Sequence, residues 1–458
     1  MIRARLPFPP GVLRTAAAVT ALALLATGAS AQTRQAPRKV PVESLIYDLK
    51  NPDPVRRKEA AQLIGDNKLR QAVPDLVAVA QDPDPEVRRT IVNALDKLLD
   101  VRSLPAFIQL SSDPEKDIRE RCIIGIVNLY LPQESGLRVT INKVATFFNP
   151  WSDEWADVVA EPGIAVDGGA ISALTGRLQD PSDTIRLKAA RALGILKGNP
   201  AVPGLLEALK RNETNSIRFE IMRALRKIGD PSVGPELMPY LGFKDDKVRN
   251  EAIYTLGRLH YRAAAPEMIR LFEEESALPA KLIDKPYREA LLDALAMLAD
   301  PAALPLFQKE KQNPDDILRL HAFEGLARLA ESSMATEVSR DRLHEKSERV
   351  KTAQAFALYR MGRTEFLDEV VNRLGNRKTN TEARMYLLEL GPQELPGLYA
   401  QANNNDTNVR EALCEIYGLI GDERAVPVLQ NLAKDKRGQI SAFAAQAMRR
   451  ISARASAR

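Results

Sequence analysis

The sequence predicts an all-α fold, an α-α superhelix (a solenoid) of about twelve helical hairpins stacked in chain order. Three observations carry this expectation. Apolar residues recur at helical spacing in segment after segment, the segments return at a period near 31 residues, and Pro and Gly punctuate each at corresponding places. Composition agrees: 45% of the 458 residues are hydrophobic and 27% charged, while only 5% are aromatic, and the abundant Ala and Leu favour helices.

Residues 1–31 read as a secretory signal. Arg3, Arg5 and Arg14 flank an uncharged, mostly apolar run from Thr15 to Thr27, and Ala29-Ser30-Ala31 is a small-residue cleavage site. The run is well short of the roughly 20 residues that cross a bilayer as a helix. The expected protein is therefore exported, periplasmic or extracellular after cleavage near Ala31, with membrane contact only through the leader. No Cys follows the run to carry a lipid. Removing the leader takes three Arg and no acid, so the formal charge of +5 falls to +2, which argues against a nucleic-acid partner. A linker is expected at 32–42, repeats one to three at 43–133, an insertion at 134–169, repeats four to twelve at 170–451 and a basic tail at 452–458.

The repeats align on Val55, Val87, Ile118, Ile185, Ile217, Val248, Tyr287, Leu318, Val350, Thr379, Val409 and Ile440. In each, a first helix carries a buried stripe, best seen at Ile185, Ala189, Ala192, Leu193 and Leu196. A second, shorter helix begins near a Pro: Pro74, Pro105, Pro203, Pro235, Pro266, Pro305, Pro396 or Pro427. Gly65-Asp66, Gly229-Asp230 and Gly421-Asp422 are expected to supply the left-handed residue that ends a helix. One hairpin cannot enclose its own stripe, so stacking is obligatory, and twelve layers about 8–10 Å apart imply a curved rod on the order of 100 Å long. Cys122 and Cys414 sit at core-facing positions about nine units apart, so both are expected to be buried and unpaired.

The segments VRRKEAAQLIG, IRLKAARALGILKGNPAVPGLLEAL, VRNEAIYTLGRL and VREALCEIYGLIGDERAVPVL resemble HEAT repeats, specifically the short HEAT-like type shared with phycobilin lyases. The resemblance covers roughly residues 43–451. It implies a solenoid that serves mostly as scaffold and protein-binding surface, although some members bind or attach chromophores. Nine Arg follow the aligning residue (Arg56, Arg88, Arg119, Arg186, Arg218, Arg249, Arg288, Arg319, Arg410), with Lys351, Asn380 and Ser441 in their place elsewhere. Just inside a helix, with Asp or Asn in the preceding turn, such guanidinium groups are expected to bond loop carbonyls and carboxylates of adjacent layers. The resemblance implies the same ladder.

Candidate partner-binding residues come from two places. Side chains six and ten positions past the aligning residue lie about 100–140° from the buried stripe and should face solvent or a partner. These are Arg191, Arg223, Lys227, Tyr254 and Arg258, joined by Lys188, with Asp293 and Glu324 in repeats seven and eight. By resemblance these helices line the concave side, suited to an acidic or aromatic-rich peptide. The second place is the insertion, which holds FFNPWSDEW with Phe147, Phe148, Trp151 and Trp155, and a strand-like GLRVTI at 136–141. Its rings are suited either to grip another surface or to fasten the insertion to repeats three and four.

No catalytic residues, metal ligands or cofactor-binding residues are expected. His260, His321 and His344 lie in different repeats, with no spacing that converges with Cys, Asp or Glu. His344-Glu345 is a single pair, whereas iron-binding HEAT-repeat hydroxylases need several. There is no phosphate-binding Gly-Lys-Ser/Thr loop and no nucleophile elbow. The expected function is a non-enzymatic, exported protein-interaction scaffold with a protein or peptide partner. A chromophore-binding lyase or lyase chaperone is the other reading.

Overall fold

The computed structural model describes residues 41–131, 158–161, 163–211, 213–437 and 439–456, and these form helices with no strand among them. The expected leader and most of the insertion, including Phe147, Phe148, Trp151 and Trp155, lie outside the described residues. The repeating unit is a long helix, a 3₁₀ turn and a short helix. In repeat four these are Asp183–Ile195, Asn199–Ala201 and Val202–Lys210. The predicted stripe of Ile185, Ala189, Ala192, Leu193 and Leu196 is buried. In eight of the short helices Pro takes the second position, where its missing N–H costs nothing, whereas Gly168–Gly176, Ala335–Arg342 and Leu367–Asn372 begin without one. Cys122 and Cys414 are free and buried, and burial pushes the Cys414 thiol up to about 12.

Register is set by the residue that caps each long helix. Asp84, Asp245 and Asp284 accept hydrogen bonds from the first-turn N–H groups, and an Arg follows four residues after each cap. From there Arg88 reaches back to the Asp82 carbonyl at 2.9 Å and forward to Asp113 of the next repeat at 2.7 Å. Arg119 does the same with Asp113 O and Asp180, and Arg319 with Asn313 O and Glu345. The ladder is thus a structural tie between layers.

In repeat one the cap is Asp53, so the ladder residue is Arg57 and not Arg56, and Val55 is 58% exposed. An apolar residue one place too early misled the alignment, because the cap and not the nearest Val sets helix phase. In repeat ten, where Asn380 replaces the Arg, the Thr379 hydroxyl donates to the Arg373 carbonyl six residues back within its own loop. Arg57→Ala leaves the buried Asp82 carboxylate without its bidentate partner and is expected to cost about 1.5–3 kcal/mol in the first repeats, whereas Arg56→Ala stays within about 0.5 kcal/mol. Hydrogen exchange over Pro54–Leu98 measures both.

Of the three predicted left-handed glycines only Gly229 is one, with φ +85°. Gly421 is extended and Gly65 is helical, the left-handed residue there being Lys68. Gly65 serves a different purpose. A Cβ at Gly65 would lie 2.8 Å from Ala94 Cα of the next long helix, and Gly194 and Gly257 face Ala224 and Ala294 in the same manner at 2.7 and 2.9 Å. These glycines let backbones of successive long helices touch.

The short helix Gly168–Gly176, capped by Asp167, packs between the short helix Leu104–Leu110 and the long helix Asp183–Ile195. It therefore completes the hairpin whose first helix is Lys116–Tyr130, so the extra residues interrupt repeat three internally. The last helix, Ile440–Ser456, runs into the basic tail.

Long helices pack on long helices around the array, and the array bends until its end returns. The Arg450 guanidinium meets Glu161 at 3.0 Å, and Gly163 lies against Ala453. The segment that carries Glu161 is tied by its Ala160 N–H to the Ile195 carbonyl at the end of repeat four's long helix. Repeat twelve thus closes on the lead-in to repeat four, so the curved rod expected from layer counting bends far enough for its end to return. Layer spacing sets contour length, whereas the small angle between layers decides whether the ends meet. Among the described residues no helix is long and apolar enough to cross a membrane.

Candidate functional site: the charged inner face

Arg191, Arg223, Tyr254, Asp293 and Glu324 hold the same position on successive long helices, and a polar ridge runs along the layers there. Four of the residues expected to be open there are buried: Arg191 is 0% exposed, Lys188 1%, Arg223 5% and Lys227 7%. They were expected to face solvent or a partner, but adjacent long helices lie close enough there for each long side chain to reach the next layer. Arg191 makes two bonds to Glu220 of repeat five, at 3.0 and 2.6 Å. Lys188 Nζ lies 2.8 Å from Glu120 Oε2 of repeat three. Arg223 stacks on Phe219, and Arg226 bonds Glu251 at 3.0 Å.

Burial dominates the electrostatics. It drives Lys188 down to about 8 despite Glu120, and Lys227 down to about 8 despite Glu220. Burial also raises Glu251, against the pull of Arg226 and Arg223. Of the predicted stripe, Arg258 remains exposed and Tyr254 half-buried, with the Arg226 guanidinium 5.0 Å from the Tyr254 ring centroid.

Farther round, the same ridge changes sign and becomes a compact polar cluster. Asp293 on the long helix Lys285–Leu298 meets His321 and Glu324 on the next long helix, Asp316–Leu329, and one donor atom from each lies within 4.8 Å of the others. His321 Nδ1 is 2.9 Å from Glu324 Oε2 and 3.5 Å from Asp293 Oδ1. From two repeats away Tyr386 donates its hydroxyl to Glu324 Oε1 at 2.6 Å, and its ring stacks on Phe356 at 4.6 Å. Arg328 similarly reaches Glu389 at 2.7 Å. Both contacts skip a whole repeat, so repeats eight and ten approach each other closely here.

Burial opposes the charged imidazole of His321, but Asp293 and Glu324 outweigh it and hold its pKa above the ordinary value. Glu324 is also desolvated, yet His321, Arg328 and the Tyr386 hydroxyl bring it down to about 2. Burial raises Asp293, and the Glu324 charge adds to that.

The expectation that no histidine converges with acidic groups is therefore overturned. Asp293 precedes His321 by most of a repeat, so no local motif joins them. A signal was nevertheless present: Asp293 and Glu324 occupy the same repeat position as Arg191, Arg223 and Tyr254, and stacked equivalent positions are neighbours in space. Of the other histidines, His260 Nδ1 lies 2.8 Å from the Met297 carbonyl, and His344 is exposed. In the His344-Glu345 pair, Glu345 is engaged by the ladder residue Arg319 at 2.9 Å.

The HEAT-repeat family profile matches residues 42–126 and 202–283, and that of the PBS lyase HEAT-like repeat matches residues 185–211. The matched segments are HEAT repeats, and the one at 185–211 is similar to the PBS lyase HEAT-like type. Curated relatives of this HEAT-repeat protein include a deoxyhypusine hydroxylase from Aspergillus clavatus, 32% identical over 107 residues, covering 23% of this chain and 32% of the relative. Another is phycocyanobilin lyase subunit alpha from Nostoc, 29% identical over 173 residues, covering 35% of this chain and 63% of that subunit. The matches thus span less than two thirds of either relative. Among solved structures, an engineered protein aligns over 90% of this chain and 98% of its own with a TM-score of 0.36 at 16% identity. The Nostoc phycocyanin lyase complex of CpcE and CpcF aligns over 72% of this chain and 98% of its own, with a TM-score of 0.25 and 16% identity.

Proposed function

We propose that this HEAT-repeat protein is an exported, non-enzymatic scaffold that holds a polypeptide partner on the part of its inner face left open by the closed charge network. The observation that carries this reading is the contrast along one ridge. Arg191, Arg223 and Lys227 are buried among neighbouring layers, whereas Tyr254 and Arg258 stay accessible beside the acidic residue Asp293. An aromatic ring, a free guanidinium and a carboxylate in one curved trough suit a peptide with mixed charge. The insertion that carries Phe147, Phe148, Trp151 and Trp155 is a second element of the binding surface in this proposal, as aromatic side chains are favoured anchors.

Export rests on the leader sequence at 1–31, and N-terminal sequencing of the mature protein should begin at Gln32. Non-enzymatic action is supported by the engagement of Glu345 by Arg319, which ties the single His-Glu pair into the ladder. The test of the scaffold is a site-specific photocrosslinker at Arg258, with Tyr254→Ala and Arg258→Glu as competitors in co-purification. One polypeptide should crosslink at Arg258, and both substitutions should reduce its recovery at least tenfold. Full recovery with both substitutions would overturn the proposed surface.

The second reading, a phycobilin-lyase-like chromophore-binding or chaperone role, draws on the similarity to phycocyanobilin lyase subunit alpha. Visible-range absorbance of protein purified with bilin would favour it over the scaffold.

A further inference from the structure

We propose that Asp293, His321 and Glu324 form a binding site for one divalent transition-metal ion of the zinc class, with Tyr386 as the outer residue that orients Glu324. The donor set is one imidazole nitrogen and two carboxylate oxygens, a combination suited to such ions and poorly suited to soft, thiolate-seeking ones. Geometry agrees. A metal held at about 2.0–2.2 Å by each of three tetrahedral ligands places those ligand atoms about 3.4 Å apart. His321 Nδ1 stands 2.9 Å from the Glu324 oxygen and 3.5 Å from the Asp293 oxygen, on either side of that value, so small side-chain rotations suffice.

The ligands are also well held. His321 and Glu324 are three residues apart on one helix face, and Asp293 comes from the adjacent long helix, so two packed backbones fix all three. Glu324 Oε1, the oxygen not directed at His321, is occupied by the Tyr386 hydroxyl, which leaves Oε2 for the ion. Two carboxylates with a neutral imidazole balance a divalent charge. Asp293 and His321 are only partly enclosed, with side-chain exposures of 23% and 15%, so the fourth position faces the trough. A three-ligand site with one open position takes a water or a donor from another molecule. The alternative occupant is a proton, with imidazolium bridging the two carboxylates.

The test is zinc titration of the full chain after chelator dialysis, followed by calorimetry and by the visible absorption of the cobalt-substituted protein. One equivalent should bind, and His321→Ala and Asp293→Asn should each weaken it at least a hundredfold. Tyr386→Phe should weaken it about tenfold, the range seen for outer partners of metal ligands. His260→Ala and His344→Ala remove the other two imidazoles and should leave affinity unchanged. Helicity and melting of each variant are followed in parallel. Absence of stoichiometric binding by the folded wild type overturns the proposal, as does full retention of the cobalt spectrum in either His321→Ala or Asp293→Asn.

Discussion

Replacing Arg191 with Met destabilises repeats four and five by about 3–5 kcal/mol, because Glu220 is left as a buried carboxylate without its bidentate partner. Both side chains are essentially inaccessible, so water cannot take over for the lost guanidinium. The effect is local in a repeat array, where each unit leans on its neighbours. Hydrogen exchange should accelerate first in Asp183–Ile195 and Asn215–Ile228, and only later in distant repeats. The double substitution Arg191→Met with Glu220→Leu should recover part of the loss, since replacing both members of a buried pair by apolar residues is often neutral or stabilising, while Lys227, buried beside Glu220, gives up that carboxylate. Equal destabilisation of single and double variants would contradict the assignment of the loss to an uncompensated charge.

Phe307→Ala is the second large effect, expected to cost about 3–5 kcal/mol. Phe307 is fully buried on the short helix Leu304–Glu310, and its ring fills a notch on the next long helix that exists because residue 325 is Gly. A Cβ at Gly325 would come within 2.4 Å of the Phe307 ring. The same lock recurs at Phe107 and Gly125, where that distance is 2.6 Å. Gly325→Ala therefore destabilises despite the higher helix propensity of Ala, by about 1–3 kcal/mol from overpacking. Combining Phe307→Leu with Gly325→Ala should be milder than the sum of the separate changes, because the smaller side chain vacates the space that the methyl enters. Denaturant melts of the four proteins check this directly.

Much of the fold was legible from local chemistry. Helical periodicity marked the long helices, Pro in second position marked most of the short ones, and the Asp or Asn before each long helix with the following Arg foretold the interlayer ladder. Within the repeats, the departures from the expected positions have local reasons. In repeat one Val55 looked like the buried start of the stripe, yet the cap at Asp53 places Arg57 on the ladder and turns Val55 outward. Likewise Gly65 looked like a helix terminator because a Gly-Asp pair often is one, whereas its lack of Cβ is needed for contact with Ala94.

The inner face was half legible. Spacing put Arg191, Arg223, Tyr254, Asp293 and Glu324 at one repeat position, since angular position around a helix is a property of the chain alone. Their surroundings are not such a property. Whether a residue on that ridge is open or enclosed depends on how tightly successive hairpins bend, and a small angle per layer accumulates over the array until Arg450 meets Glu161.

The sequence by itself thus determined the helical hairpins, their order, their obligatory stacking and the ties between adjacent layers, because all of these arise from interactions within about one repeat. The tertiary structure decided the closure of the array, the burial of Lys188, Arg191, Arg223 and Lys227, and the meeting of Asp293, His321, Glu324 and Tyr386. These depend on the summed curvature of many layers, a quantity that no single repeat encodes.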